Sequence, residues 1–178
     1  IVKQGLKILK MKKNLGIKTL LDICNIEVNP SIYHLGYVLG PRINAGGRVG
    51  KCSHGANLLL SSNPKKVFRI ALELDQYNKE RQNLEKDLTK KLLIESENKS
   101  NDPILILEGT NLHEGIIGIV ASRLKDKYDK PTIIISVNGE IGKASARSVI
   151  GFDIGSAIIA ATQEKILIKG GGHKMAGG

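Results

Sequence analysis

Thr132-Ile133-Ile134-Ile135-Ser136-Val137-Asn138-Gly139-Glu140-Ile141-Gly142-Lys143-Ala144-Ser145-Ala146-Arg147-Ser148 is the stretch that decides the fold. The near-continuous apolar run at 132–137 reads as a buried strand. Asn138-Gly139 is the strongest short hairpin signal in the chain and implies a two-residue turn. Residues 141–148 return as a strand of small residues. Alternation puts Lys143, Ser145 and Arg147 on one face and Ala144, Ala146 and Ser148 on the other. Two cations and a hydroxyl among small neighbours predict an open shelf for an extended anionic backbone; a solvated sheet face is the plainer reading. Arg147 stands out, because a guanidinium can hold a phosphate through two parallel hydrogen bonds.

On either side of this hairpin the pattern stays α/β. Residues 104–107 read as a strand and 115–128 as a helix with apolar Ile116, Ile119, Val120 and Leu124. His113-Glu114-Gly115 opens that helix. It is no zinc motif, since no histidine follows at the required spacing. His113 reads as structural or at the edge of a site, and Gly118 as a point of close packing. Asp153 caps a helix running to about residue 163, and Ile166-Leu167-Ile168 reads as a closing strand. Gly170-Gly171-Gly172-His173 then looks like a tight loop before a helix start. Such a loop can bring backbone N–H groups close to an anion, with His173 as a further donor; a plain strand-to-helix turn is the alternative. The whole is expected to be a mixed β-sheet flanked by helices.

The first half is helical. Helices are expected over 1–13, from 19 to about 25, from the Asn29-Pro30-Ser31 loop to Gly40-Pro41, and over 55–60. Gly40-Pro41-Arg42-Ile43-Asn44-Ala45-Gly46-Gly47-Arg48 reads as a glycine-rich loop. It lacks the spacing of the known nucleotide-binding loops. Either it is an ordinary exposed loop, or Arg42 and Arg48 with the neutral donor Asn44 form a phosphate clamp. Asn63-Pro64 starts one long amphipathic helix to about residue 97, with Val67, Ile70, Leu74, Tyr77, Leu84, Leu88 and Leu92 at helical steps. Its charged positions, Glu80, Arg81, Glu85 and Lys86 among them, read as a solvated face. Residues 98–103 read as a linker.

Composition narrows the partners. Twenty-seven basic against 17 acidic residues give a net charge of +10 in 178 residues, which favours a polyanion. Residues 1–20 hold six lysines and no acid. With few aromatics and no Trp, backbone recognition is expected rather than base stacking. Cys24 and Cys52 are far apart and unpatterned, which suggests a reducing cytosol and no zinc site. Nothing resembles a signal peptide, and no apolar run approaches the ~20 residues of a membrane span. The chain opens at Ile1 and stops inside a glycine motif, which reads as a fragment cut at both ends. Its aspartates are dispersed, and no dense Asp/His cluster suits a pair of metal ions. It has the look of a substrate-gripping half without its cutting half.

Four stretches together carry a family resemblance. They are residues 40–48 quoted above; His113-Glu114-Gly115-Ile116-Ile117-Gly118-Ile119-Val120-Ala121-Ser122-Arg123-Leu124; Ser145-Ala146-Arg147-Ser148; and Gly171-Gly172-His173-Lys174-Met175-Ala176-Gly177. In this order they resemble the later motifs of the RecJ family, bacterial 5′-to-3′ single-strand-specific DNA exonucleases of the DHH phosphoesterase superfamily. The resemblance implies three parts: residues 1–62 as the end of a DHH catalytic domain, 63–102 as a connector helix and linker, and 103–178 as a truncated DHH-associated substrate-binding domain. It implies metal-dependent phosphodiester hydrolysis in DNA repair and recombination by the full-length, cytoplasmic protein. The Mn2+ or Mg2+ would be held by aspartates and histidines of a preceding part, so no metal ligand is assigned here and this piece is expected to be inactive alone. Asn44 and Arg48, with Arg42 a weaker carry-over, would contact the DNA backbone or its 5′-phosphate. Ser145 and Arg147 would hold the terminal phosphate. Gly171, Gly172 and His173 would line the cleft at the scissile phosphate, His173 being the catalytic candidate. The partner is single-stranded DNA with a 5′ end, with room for a helicase or a single-strand-binding protein and no membrane. Gly46 and Gly177 stand where the family often has alanine, and Ala146 where it often has glycine. A superfamily phosphodiesterase of short oligonucleotides or cyclic dinucleotides, and a non-catalytic nucleic-acid-binding module, are the alternatives.

Overall fold

The computed structural model describes every residue except Val28 and Ser100. Ser100 belongs to the linker expected over 98–103 and lies outside the described residues. The chain divides into two compact units, Ile1–Gln82 and Asn83–Gly178. The division falls inside the long helix. Each half of that helix is built into its own unit.

The first unit is helical. Helix α1 spans Val2–Lys10 and α2 spans Leu15–Ile23. Helix α2 starts four residues earlier than its apolar spacing suggests, because the side chain of Asn14 accepts the Ile17 N–H at 3.0 Å and caps it. A π-helical turn, His34–Leu39, runs without a break into α3, Gly40–Val49. The helix therefore does not end at Gly40-Pro41, and the glycine-rich stretch is not a loop. The reason is local. Pro41 cannot donate, and in an α-helix its ring would press on the carbonyl four residues back. The wider π register sits directly before it, with the Gly40 N–H reaching back five residues to the Leu35 carbonyl. Helix α4, His54–Leu60, and the first half of α5, Pro64–Glu97, complete the unit. Asn63 caps α5 by accepting the Lys66 N–H at 3.1 Å, as the Asn-Pro signal predicts. Leu20, Leu21, Leu39, Leu58, Val67, Ile70 and Leu74 form one buried core.

The second unit is the mixed α/β layer structure expected. Strands β1 (Leu105–Thr110), β2 (Thr132–Asn138) and β3 (Ile141–Arg147) are joined by two short strands, β4 (Gly172–His173) and β5 (Ala176–Gly177). The order is β1-β2-β3-β5-β4, with β1 and β2 parallel and the other pairs antiparallel. Helix α6, Glu114–Tyr128, crosses over from β1 to β2 and packs on β2 and β3. Helix α7, Ile154–Gln163, packs on β4 and β5. The hairpin turn is Gly139-Glu140, one residue beyond the Asn-Gly pair, because Asn138 still pairs with Ile141. Of the two turn residues, Gly139 alone has positive φ (+60°), the pattern of a type II′ turn with glycine first.

Two expectations for the end of the chain fail. Residues Ile166 to Ile168 form no strand. The Ile166 and Leu167 N–H groups both turn back to the Ala161 carbonyl, and Ile166 and Ile168 are exposed. Nor does a helix follow the glycines. Gly171 and Gly178 exchange both backbone hydrogen bonds, and Gly172 pairs with Gly177, so a hairpin ladder takes the backbone groups that a helix start would have left open.

Candidate nucleic-acid interface

In the second unit the candidate residues are organised by period-two alternation. Ala146 joins Ile154, Ile158 and Ile133 under α7, so the even-numbered side of β3 faces that helix. Ser145 and Arg147 face the opposite way, toward α6. The shelf that the sequence predicts is therefore not open: α6 covers it, and Ser145 and Arg147 are half-buried. Arg147 Nη1 donates to the Ala146 carbonyl at 2.7 Å and to Ser145 Oγ at 3.1 Å, which fixes the plane of the fork. Lys143, further along the strand, stays exposed and pairs with Glu114 at 2.9 Å.

Register brings the last motif to the same place. Arg147 pairs across the sheet with Ala176, and Ala176 with His173. Directly opposed residues point to one face, so the His173 and Arg147 side chains share the α6 side, two strand spacings or about 10 Å apart, with only the small Ala176 between. Gly172 and Gly177 point the other way, where a Cβ on Gly177 would lie 2.5 Å from Ile158 Cδ1 under α7. The exposed His173 accepts the Met175 N–H on Nδ1 at 3.2 Å, which orients its ring. Helix α7 offers no vacant anion site to the hairpin. Its first N–H goes to the Lys174 carbonyl at 3.3 Å, and Asp153 takes the Ser156 N–H. That hydrogen bond holds the Asp153 carboxyl below the usual carboxylate range. His113 is the cap of α6, accepting the Gly115 N–H, which fits its structural reading.

In the first unit, α3 sorts the three candidates of the supposed loop. Asn44 and Arg48 are four residues apart on one exposed face of the helix. Arg42 turns away from them, and this corrects its reading as an available fork. Its Nε donates to Asp75 Oδ1 at 2.8 Å and its Nη1 to the Val38 carbonyl at 3.0 Å, with the Arg42 and Asp75 side chains only 19 % and 13 % exposed. Burial alone would raise the Asp75 carboxyl. Hydrogen bonds from Lys79 and Arg42, with their charges, outweigh it and hold the group below its ordinary value. On α5, Glu85 is not on a solvated face either; it is buried and paired with Arg123 of α6. Sequence reasoning missed Asp75 and Glu85, because charges on a long amphipathic helix look alike until a partner element packs on them.

Among the described residues, no three of His, Cys, Asp and Glu converge where a metal ion could be held. No described helix is long and apolar enough to cross a membrane.

Known proteins resemble this chain in sequence and in fold. The DHHA1 domain family matches residues 101–178. The single-stranded-DNA-specific exonuclease RecJ of Haemophilus influenzae is 34 % identical over 185 aligned positions, covering 98 % of this chain and 32 % of that protein. RecJ of Bacillus subtilis is 32 % identical, covering 98 % and 22 %. The crystal structure of RecJ from Thermus thermophilus in complex with Mn2+ superposes with a TM-score of 0.86 at 28 % identity, covering 99 % of this chain and 26 % of that one. The Mg2+ complex from the same organism gives 0.85. The chain thus spans a third or less of these relatives. The metals of those complexes have no counterpart in a donor set among the described residues here.

Proposed function

Because residues 101–178 match the DHHA1 domain family, in a chain similar over nearly its whole length to RecJ exonucleases, we propose that this chain is the strand-gripping part of a single-strand-specific 5′-to-3′ DNA exonuclease. In this reading Arg147 and Ser145 hold the 5′-terminal phosphate. Asn44 and Arg48 contact the DNA backbone from α3, and Gly171, Gly172 and His173 line the cleft at the bond to be cut. The part such a piece plays is chiefly positioning: it fixes the terminal nucleotide and sets His173, the catalytic candidate, beside the bond to be cut. Repair and recombination in the cytoplasm, with a helicase and a single-strand-binding protein nearby, are the setting proposed for the complete enzyme.

The observation that carries the reading is the fork of Arg147. It is half-buried, held in plane by Ser145 Oγ and the Ala146 carbonyl, and shares its face with His173. A fixed guanidinium loses little freedom on meeting a phosphate, which suits recognition of a chain end more than general attraction to a polyanion.

Fluorescence anisotropy tests it. Binding is measured for single strands with a 5′-phosphate or a 5′-hydroxyl and for a duplex, at several salt concentrations. The 5′-phosphate strand is expected to bind best. Arg147→Ala should remove that preference, about tenfold for the loss of charge-assisted hydrogen bonds. Equal binding of all three ligands with a steep salt dependence would mean a general polyanion surface instead.

A further inference from the structure

A glycine in the middle of a helix is less favourable than alanine, so one on a packed face calls for a reason. Gly118 lies in α6 with buried Ile117 beside it and buried Val120 and Ala121 close by along the helix. A Cβ built on Gly118 would come within 2.8 Å of Arg147 Nη2 and 2.8 Å of Ser145 Oγ, and 3.6 Å from Arg147 Cζ. The first two are closer than carbon and polar atoms can stand. The two atoms it would strike are the working ends of the two residues assigned to the terminal phosphate.

We propose that Gly118 is a positioning residue for the phosphate-holding pair: bare backbone at this point of α6 leaves the Arg147 guanidinium and the Ser145 hydroxyl lying against the helix in their gripping arrangement. This rests on the reading of Ser145 and Arg147 as the end-phosphate clamp. The direction in which a clash would resolve follows from what surrounds it. Helix α6 is anchored by Ile116, Ile117, Val120, Ala121 and Leu124, each nearly inaccessible to solvent. Both atoms in the way are ends of rotatable side chains. A methyl at 118 therefore moves the side chains and leaves the helix in place. Since Arg147 Nη1 reaches both Ser145 Oγ and the Ala146 carbonyl, one displacement loosens both hydrogen bonds. His113, Glu114 and Lys143 lie outside this clash and keep their own partners.

The test uses the whole 178-residue chain as wild type, Gly118→Ala and Arg147→Ala. The readout is the ratio of affinities for 5′-phosphate and 5′-hydroxyl single strands, beside thermal unfolding and the side-chain NMR signal of Arg147. Gly118→Ala is expected to fold as the wild type does, to shift the Arg147 signal, and to lower the ratio at least about fivefold toward that of Arg147→Ala. A glycine with only a helical role would give a higher melting temperature and an unchanged ratio, and that result overturns the proposal. So does a Gly118→Ala chain that fails to fold, because the side chains and not the helix are to give way. A preference lost in Arg147→Ala but kept in Gly118→Ala overturns the role of Gly118 alone. A wild type with no end preference overturns the clamp and Gly118 together.

Discussion

Arg42 and Asn44 lie two positions apart and have different tasks. Arg42 ties α3 to α5 through Asp75, whereas Asn44 and Arg48 look outward from the same helix. Arg42→Ala is therefore expected to lower the stability of the first unit by about 1–3 kcal/mol, since it leaves a largely buried carboxylate short of a donor. Asn44→Ala and Arg48→Ala should weaken DNA binding with little change in melting temperature. Paired thermal melts and anisotropy titrations separate the two classes. The carboxyl of Asp75 gives this pair a pH signature. Its folded-state pKa lies below the ordinary 3.8, so the stability it contributes is complete above about that pH. That contribution is lost as pH falls from there through the depressed folded value. Asp75→Asn should flatten the acid limb of the melting curve in that window and leave the neutral-to-basic limb parallel to the wild type.

At the scale of elements, signals that need only near neighbours were legible. The Asn63-Pro64 start gave α5 its first residue, and its apolar period carried it to the observed end at Glu97. The β1-α6-β2-β3 succession followed from two apolar runs, one helical period and one glycine turn. Signals that depend on a competing backbone register were misread. Gly40-Pro41 looks like a stop unless the preceding turn widens, and Ile166-Leu167-Ile168 looks like a strand unless no neighbour is there to pair with it. The basic helix α1 carries its own prediction. Lys3, Lys7 and Lys10 are exposed and fall at steps of four and three, one stripe along the helix. If that stripe meets DNA phosphates, replacing the three with Gln should flatten the salt dependence of single-strand binding. The expected change is roughly 0.7 in log–log slope for each phosphate no longer neutralised, with the preference for a 5′-phosphate unchanged. Anisotropy titrations across a salt series measure both.

At the scale of the whole molecule, each unit has its own buried core. Leu58→Ala in the first and Ile134→Ala in the second should each cost about 2–5 kcal/mol. Hydrogen exchange should rise mainly in the unit that carries the change. If this chain is the positioning piece proposed above, it is expected to release no nucleotides from a 5′-phosphorylated single strand when Mn2+ or Mg2+ is added, as read on a denaturing gel. Legible in the linear pattern are the α/β class, the long helix, the capped starts of α5 and α7, the alternation that sets Ser145 with Arg147, and the motif order that resembles RecJ. All of these follow from periodicity, turn chemistry or local spacing. The folded chain alone shows which charges are spent on packing or pairing and which face outward: Arg42 on Asp75, Glu85 on Arg123, Lys143 on Glu114. It also shows that α6 covers the Arg147 shelf at Gly118, and that the glycine-rich end closes into a hairpin beside Arg147. Pairing between residues tens of positions apart depends on burial and register, and a linear pattern carries neither.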